Sequence, residues 1–193
     1  IISKKKRSKT NIYVFDHESG VSQIGSLQQG SFQAVPNSKI LLDMSQIELI
    51  NKIGDVGTPL RQMATVYNGI KTGDNDQYLT ESPTSDKHKK VIRGRDVNRY
   101  IIDWGGTYVY FDKEKLWSNT NQDMFEACPK TIIRQTGEDL ISAVDAESYY
   151  TLDTTHIIIP EESSPYYFSC LLNSTLMNWY YHQLVPEKNR TFA

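Results

Sequence analysis

The chain has 193 residues, of which 38% are hydrophobic and 11% aromatic, a composition that predicts a folded domain with a core of its own. No apolar run is long enough for a signal peptide or a membrane span, so we expect no membrane partner. Cys128 and Cys170 lie far apart and predict neither a zinc site nor a disulfide framework, which makes a reducing cytoplasm the expected compartment.

The net charge of −2 argues, as an average, against a nucleic-acid partner, but the charge is unevenly distributed. Residues 1–99 hold 15 Lys and Arg against 10 Asp and Glu, whereas residues 100–193 hold 6 against 13. A basic surface is therefore expected in the first half of the chain.

In chain order, residues 11–16 predict a strand, and the Gly, Ser and Gln spacing of residues 20–31 predicts a hairpin or a loose connection after it. A capping box that begins at Ser45 predicts a short helix over residues 46–53, ended by Gly54. These elements precede the part of the chain that is richest in polar motifs.

Glycines at 105–106 separate two runs of β-branched and aromatic residues and predict a hairpin. A helix is predicted over residues 121–127 and a strand over residues 130–137. Residues 140–160 predict two further strands around a turn near residues 145–148.

Ser164 as N-cap and Pro165 at the first helical position predict one long helix that ends near Leu184. Many strands, occasional short helices and one long terminal helix favour an α+β fold with a mixed, largely antiparallel twisted sheet. The aromatic residues between these elements, Trp104, Tyr108, Tyr110 and Trp117, are interpreted as core.

Strands over residues 63–70 and 77–80 flank a polar loop, NGIKTGDNDQYL at 68–79. The glycine spacing does not match a phosphate-binding P-loop, and no helix pattern follows. Asp74 and Asp76 fit the first two ligand positions of an EF-hand calcium loop, but Tyr78 stands where a third oxygen ligand is needed. Spacing therefore disfavours both a phosphate cradle and a calcium loop.

The sequence lacks the other common catalytic patterns. No acidic residue precedes a lysine by two positions, the four histidines are scattered, and no G-x-S-x-G nucleophile elbow occurs. By elimination we predict a binding module without catalytic residues or a metal site of its own.

The basic segment is KHKKVIRGRDVNRY at 87–100, whose basic residues run from Lys87 to Arg99. Arg93 and Arg95 share one face if this segment is extended, and phosphate contacts by such a face would make DNA binding steeply salt-dependent. The alternative is an ordinary salt-bridged strand edge, with Asp86 and Asp96 as local partners.

Four segments occur in the order and spacing of one known family: GIKTGDNDQY at 69–78, IRGRDVNRY at 92–100, PKTIIRQTG at 129–137 followed by Ala143 and Asp145, and LLNSTLMNWYY at 171–181. In these motifs, and in LINKIGDVGTPL at 49–60, the chain resembles the TaqI-like C-terminal specificity domains. These are target recognition domains of N6-adenine DNA methyltransferases and type IIG restriction–modification enzymes. The resemblance covers roughly residues 37–185, and Gln77-Tyr78 departs from the family's small residue and phenylalanine.

The resemblance implies that the chain recognises double-stranded DNA for a bacterial, cytoplasmic enzyme. Residues 37–193 would form the recognition domain, and residues 1–36 the junction with an N-terminal methyltransferase domain of the same polypeptide. Neither the family's Asn/Asp-Pro-Pro-Tyr/Phe motif nor its glycine-rich cofactor loop occurs in this sequence. The expected cofactor, S-adenosylmethionine with Mg²⁺ as a further candidate, would therefore belong to the parent protein and not to this fragment.

On this interpretation two sets of residues contact DNA. The candidates for base or nearby backbone contact are Lys71, Thr72, Asp74, Asn75 and Gln77. The candidates for phosphate contact are Lys87, Lys89, Lys90, Arg93, Arg95 and Arg99, with Lys130 and Arg134 as weaker additions. The loop can also be scaffold beside the residues that read the sequence.

Two other classes of protein stay open. One is a fragment of a metal-dependent hydrolase that uses Asp74 and Asp76. The other is a protein-interaction module without DNA contact. A positively charged cleft shared by residues 71–77 and 87–99 would favour DNA, and an apolar patch would favour a protein partner.

Overall fold

The computed structural model describes residues 9–16, 20–28, 44–118 and 120–185. These residues belong to two compact units, Ile1–Thr58 and Pro59–Ala193, and the boundary between them in the sequence is the Thr58-Pro59 bond. The domain boundary predicted between residues 36 and 37 lies outside the described residues and stays a prediction. None of the described helices combines the length and the apolar character that a membrane crossing requires.

The described part of the first unit contains a hairpin and a helix. Strand β1 (Lys9–Asp16) pairs antiparallel with β2 (Gly20–Gln28), which confirms the predicted strand and hairpin. Helix α1 (Met44–Val56) extends beyond the predicted range at both ends. Gly54 does not end it, because one glycine inside a helix costs only about 1 kcal/mol.

The second unit carries the remaining elements. They are β3 (Ala64–Asn68), α2 (Asn75–Tyr78), β4 (Leu79–Thr80), β5 (His88–Ile92), β6 (Val97–Asn98), β7 (Ile101–Ile102), β8 (Tyr108–Tyr110), α3 (Gln122–Glu126), β9 (Lys130–Arg134), β10 (Ser142–Asp145), β11 (Tyr150–Thr151), β12 (Thr155–Pro160), α4 (Pro165–Leu172) and α5 (Thr175–Leu184). Two single 3₁₀ turns cover Leu60–Gln62 and Gly94–Asp96.

These strands form two four-stranded sheets and one short hairpin. The first sheet has the order β10-β9-β12-β3 and is antiparallel throughout. The second has the order β11-β5-β8-β4, in which β11 runs parallel to β5 and the other pairs are antiparallel. Mixed helices and largely antiparallel sheets confirm the predicted α+β class.

The first sheet is buried on both faces because its central strands alternate between two cores. Ile133 and Ile158 pack with Phe168 of α4 in one cluster. Ile132 and Ile157 point the other way, into the larger cluster that also contains residues of the second sheet. Strands of this β-branched kind are favoured by packing on both sides.

The predicted hairpin at Gly105–Gly106 is wrong. Strand β8, which follows the two glycines, pairs with β4 and β5, and the hairpin of this region is instead β6–β7. Val109 of β8 is fully buried in the main core, so tertiary packing decides the pairing. Tyr100, with φ of 69°, makes the turn between β6 and β7.

The last part of the chain differs from its prediction in two places. Residues 140–160 form three strands instead of two, since β11 leaves β10 and β12 to join the second sheet. The single long helix is divided into α4 and α5 at Asn173 and Ser174. Ser164 and Pro165 begin α4 as predicted, and α3 and β9 confirm the predicted helix and strand before them.

Side-chain hydrogen bonds explain why the terminal helix is interrupted. Asn173 accepts from the backbone N–H of Ser142 at 3.0 Å and donates to its carbonyl oxygen at 2.8 Å, so it binds β10 as another strand would. Ser174 then caps α5 by accepting from the N–H of Met177 at 3.2 Å. The motif LLNS therefore joins the helices to the first sheet.

Candidate nucleic-acid interface

The base of the polar loop is hydrogen-bonded to residues 151–155, here called the central turn. The N–H of Ile70 donates to Thr151 O at 2.7 Å, and the N–H of Asp153 donates to Ile70 O at 2.9 Å. A Cβ on Gly69 would lie 2.0 Å from the carbonyl oxygen of Leu152, so only glycine allows this approach. The base of the loop is thus fixed to the core by its backbone.

The tip of the loop is shaped by its own polar side chains. Asp74 caps the one-turn helix α2, because its Oδ1 accepts from the N–H groups of Asp76 and Gln77 at 3.0 and 3.1 Å. Thr72, which is buried, donates from Oγ1 to Asn75 Oδ1 at 2.7 Å. Thr72 and Asp74 therefore hold the shape of the loop, although both are candidates for base contact.

Lys71 and Gln77 differ from these two residues. Both side chains are exposed, and neither makes a hydrogen bond or an ion pair within the part of the chain that the structure describes. They are the loop side chains most available to a ligand. Asn75 is also exposed, and the NH₂ group of its amide is not used by the bond to Thr72.

A 3₁₀ turn over Gly94–Asp96 follows Arg93 and contains Arg95, so the condition under which the two arginines would share one face of an extended strand is not met. The N–H of Arg93 donates to Asp96 Oδ2 at 2.7 Å, which closes the turn in the manner of a helix cap. The N–H of Gly94 donates to Thr154 Oγ1 at 2.9 Å. The arginine turn is therefore fixed to the same central turn as the loop.

A cleft of about 540 Å³ joins the loop to the arginine turn. We call it the arginine cleft, and its walls are Asn75, Asp76, Leu79, Thr80, Glu81, Arg93, Arg95 and Thr107. The structure thus brings together one base candidate and two phosphate candidates. The two arginines are balanced by the carboxylates of Asp76 and Glu81, so the cleft has no formal net charge and differs from the positively charged cleft expected for DNA. It is polar and rich in hydrogen-bond donors and acceptors.

The two arginines occupy different environments in this cleft. Arg93 is half-buried, and its Nε is buried without a hydrogen-bond acceptor among the described residues. The side chain of Arg95 is 72% exposed, and its contact with Asp96 is long, at 3.8 Å. Arg95 lies at the rim of the cleft, whereas Arg93 is less exposed and its Nε is enclosed by the protein.

Lys87, just before strand β5, and Lys90, within it, do not join the arginines in one stripe. Lys87 forms an ion pair with Asp112 at 3.2 Å, and this hydrogen bond raises the pKa of Lys87 above its usual range. Lys90 lies 3.5 Å from Glu147 and 4.8 Å from the centre of the Trp104 ring. Both lysines thus have acidic partners, as in the alternative of a salt-bridged strand edge, but the partners are Asp112 and Glu147 instead of the expected Asp86 and Asp96.

Lys89 and Arg99 also lie outside the arginine cleft. Lys89 lines a second cleft, of about 480 Å³, together with Lys87, Asp112 and Glu114. Arg99 forms an ion pair with Asp139 at 3.1 Å. Of the six basic residues in this segment, the arginine cleft contains only Arg93 and Arg95.

The structure corrects the place of Lys130 among the phosphate candidates. Lys130 is fully buried, 2.5 Å from Asp145, and donates to Phe125 O at 2.6 Å. Burial lowers the pKa of its ammonium group, and the carboxylate of Asp145 opposes that shift. A side chain enclosed in this way has no path to a phosphate.

Arg134 is also used inside the fold. Its Nε donates to Val97 O at 2.6 Å, and its Nη2 donates to Asn98 Oδ1 at 3.1 Å. These bonds join β9 to β6, so the guanidinium supports the fold beside the arginine turn.

Trp117 is a surface residue, and its interpretation as core is wrong. Its side chain is 73% exposed, although Trp104 is partly buried against the main core as predicted. The pyrrole part of the indole lies against Gly73, where a Cβ would be 2.4 Å from Cε2 and Nε1. The signal in the sequence was its position: a single tryptophan within the polar run DKEKLWSNTNQD at 112–123.

A narrow cleft of about 180 Å³ surrounds this tryptophan. We call it the tryptophan cleft, and its walls are Lys71, Thr72, Gly73, Asn75, Trp117 and Asp153. Asn75 borders both this cleft and the arginine cleft. The two clefts therefore lie on either side of the loop tip.

The structure does not gather the acidic loop residues into a metal site. Within residues 9–16, 20–28, 44–118 and 120–185 no group of three or more His, Cys, Asp or Glu side chains is placed to hold a metal ion. Asp74, which the hydrolase alternative requires as a ligand, already accepts two backbone N–H groups.

The fold and the clefts describe an α+β domain that presents polar and basic side chains to a ligand from a fixed loop and turn. The family model for the TaqI-like C-terminal specificity domain matches residues 89–193, and the chain belongs to this family. Its role is DNA sequence recognition in restriction–modification. Arg93, Arg95 and Trp117 lie inside the matched region, and the loop at 69–78 precedes it. No curated protein shows significant similarity to the chain.

Proposed function

We propose that this chain positions duplex DNA for N6-adenine methylation by a catalytic domain of the same polypeptide, as in a type IIG restriction–modification enzyme. The observation that supports the proposal is the arginine cleft, in which Asn75 of the loop faces Arg93 and Arg95. Amide and guanidinium groups are the side-chain groups that most often read base edges in the major groove. A polar cleft between two fixed walls fits DNA better than it fits an apolar protein partner.

The environments of the two arginines suggest separate tasks. Arg95, exposed at the rim, is suited to a phosphate, whose contacts set position and carry the salt dependence. Arg93, which is less exposed and lines the same cleft, is suited to a base edge, where a guanidinium can donate two hydrogen bonds to guanine. Lys71, Asn75 and Gln77 are the further candidates for base contact.

The methyl donor belongs to the catalytic partner in this proposal. S-adenosylmethionine supplies the methyl group when it is bound there, and Mg²⁺ would serve a parent protein that also cleaves DNA. The target adenine must leave the base stack to be methylated, so a separate domain that holds the flanking duplex has a clear use. The bacterial cytoplasm is the compartment in which we expect this reaction.

The decisive experiment compares Arg95→Ala with Asn75→Ala in the full-length polypeptide that carries this chain. We expect Arg95→Ala to weaken binding to every duplex and to reduce the slope of log K against log salt by about 0.9. Asn75→Ala should instead change the set of methylated sequences, which sequencing of modified bases measures directly. Unchanged affinity and unchanged methylated motifs in both variants would contradict the proposed function.

A further inference from the structure

An exposed tryptophan beside a proposed DNA-reading loop is a feature that recognition of paired base edges does not use. Large aromatic side chains are seldom left so open to water on a folded domain unless they contact a ligand. Trp117 is also held in place, since its backbone N–H donates to Lys71 O at 3.1 Å and its ring rests on Gly73. The indole is thus an ordered and open aromatic surface.

The side chains around the indole are those of a nucleotide site. Lys71 offers an ammonium group with no acidic partner among the described residues, which suits a phosphate. Asp153 and Asn75 border the same cleft and offer acceptors and donors to the edge of a base. At about 180 Å³ the cleft has room for one planar ring and none for a duplex.

We propose that Trp117 and Lys71 form a second nucleic-acid site that binds one unpaired nucleobase by stacking and its phosphate by charge. The inference rests on the proposed function, because Asn75 borders both clefts and DNA held by the arginine cleft would pass the loop tip beside Trp117. Every base has a π-face, so stacking on an indole is tolerant of sequence. This site would add affinity for opened DNA without adding sequence information.

The test uses the full-length polypeptide and three variants, Trp117→Ala, Trp117→Phe and Trp104→Phe. Binding is measured to the target duplex with one internal unpaired base and to the same duplex with a single-stranded overhang. We expect Trp117→Ala to weaken binding to at least one of them about 5-fold to 150-fold. Trp117→Phe should retain most of the affinity, because a phenyl ring can still stack.

Indole fluorescence separates stacking from a purely structural role. DNA with an unpaired base should quench the emission of the unmodified protein, and Trp117→Phe should abolish this quenching. Trp104→Phe should preserve it, since the Trp104 indole donates to Thr107 O inside the fold. The probe whose binding is weakened identifies the source of the base. An effect on the duplex with an internal unpaired base indicates a base extruded from the target, and an effect on the duplex with an overhang indicates a flanking single strand.

Full affinity of Trp117→Ala for both probes, or quenching that persists in Trp117→Phe, would overturn the inference. Arg95→Ala distinguishes that result from failure of the proposed function. If Arg95→Ala weakens DNA binding while Trp117→Ala does not, only the second site is wrong. If neither variant affects binding, the proposed DNA recognition is wrong as well.

Discussion

Lys130 and Arg95 are both basic residues of motifs that resemble the specificity-domain family, yet the fold uses them in opposite ways. Lys130 is buried beside Asp145 and a backbone carbonyl oxygen, so its ammonium group is paired inside the domain. Arg95 is exposed at the rim of a cleft with only a long contact to Asp96. The comparison shows that the partners of a cation, and not its presence in a motif, decide whether it can meet DNA.

The largest effect should come from removing the internal partner. Asp145→Ala leaves the ammonium of Lys130 buried without its carboxylate, and we expect a loss of about 3–5 kcal/mol in the free energy of unfolding. Urea unfolding of the chain, followed by tryptophan fluorescence, measures it. Replacing both residues with apolar ones, Lys130→Met with Asp145→Leu, should recover part of the stability.

The surface pair provides the matched control for that prediction. Asp112→Ala removes the partner of Lys87, whose side chain is 56% exposed, and water can replace the lost contact. The unfolding free energy should therefore change far less than in Asp145→Ala. Equal losses of unfolding free energy in Asp145→Ala and Asp112→Ala would show that burial does not make the Lys130 pair more important for stability than the Lys87 pair.

The next effect concerns the loop that forms one wall of both clefts. Gly73 has φ of 81°, and a Cβ there would collide with the indole of Trp117. Gly73→Ala should cost about 1–3 kcal/mol through backbone strain and displace the indole. A change in Trp117 emission together with weaker DNA binding would confirm it, and Gly106→Ala, at a positive φ with open space around it, controls for strain alone.

A smaller effect is expected from the cap of α2. Asp74→Ala removes the acceptor for two N–H groups and should cost about 1 kcal/mol of stability. Calorimetry with Mg²⁺ or Ca²⁺ should show the same response before and after the substitution. A stoichiometric metal site lost in Asp74→Ala would support the hydrolase alternative instead.

The smallest effect is that of a basic group that the fold keeps neutral. Burial lowers the pKa of His156, whose Nδ1 lies 2.9 Å from Asn68 Oδ1. In the unfolded chain this histidine has the usual pKa of about 6.5, so as the pH falls it is protonated there before it is protonated in the folded state. Protonation of the unfolded chain lowers the free energy of unfolding, which is therefore complete above that pH and decreases as the pH drops toward the folded pKa. The Tm should fall between pH 7 and pH 5.5, and His156→Gln should reduce the fall.

Sequence patterns predicted the elements whose signals are local. Ser164 and Pro165 begin a helix because capping and a fixed φ act within one turn, and the β-branched residues of β9 make a strand whatever its partner. The hairpin predicted from the glycines at 105–106 was wrong because the burial of Val109 decides which strands pair. That burial depends on distant parts of the chain.

The same limit applies to the candidate site. The sequence singled out Arg93 and Arg95 by charge, and they do share a cleft with Asn75, but it could not show that Lys130 has Asp145 as a partner across two strands. Trp117 was missed because aromatic residues are buried more often than not. The place of its indole depends on a glycine 44 positions earlier, since a side chain at Gly73 would collide with the ring.

The central turn has a consequence for redesign. Residues 151–155 bind both the loop and the arginine turn: backbone atoms bind Ile70, and the Thr154 hydroxyl binds Gly94. Both walls of the arginine cleft are therefore fixed to one short segment of the chain. Side chains on those walls can be exchanged without altering the spacing between them. A library at positions 75 and 93, with Thr154 left intact, is therefore a compact route to domains that recognise new DNA sequences.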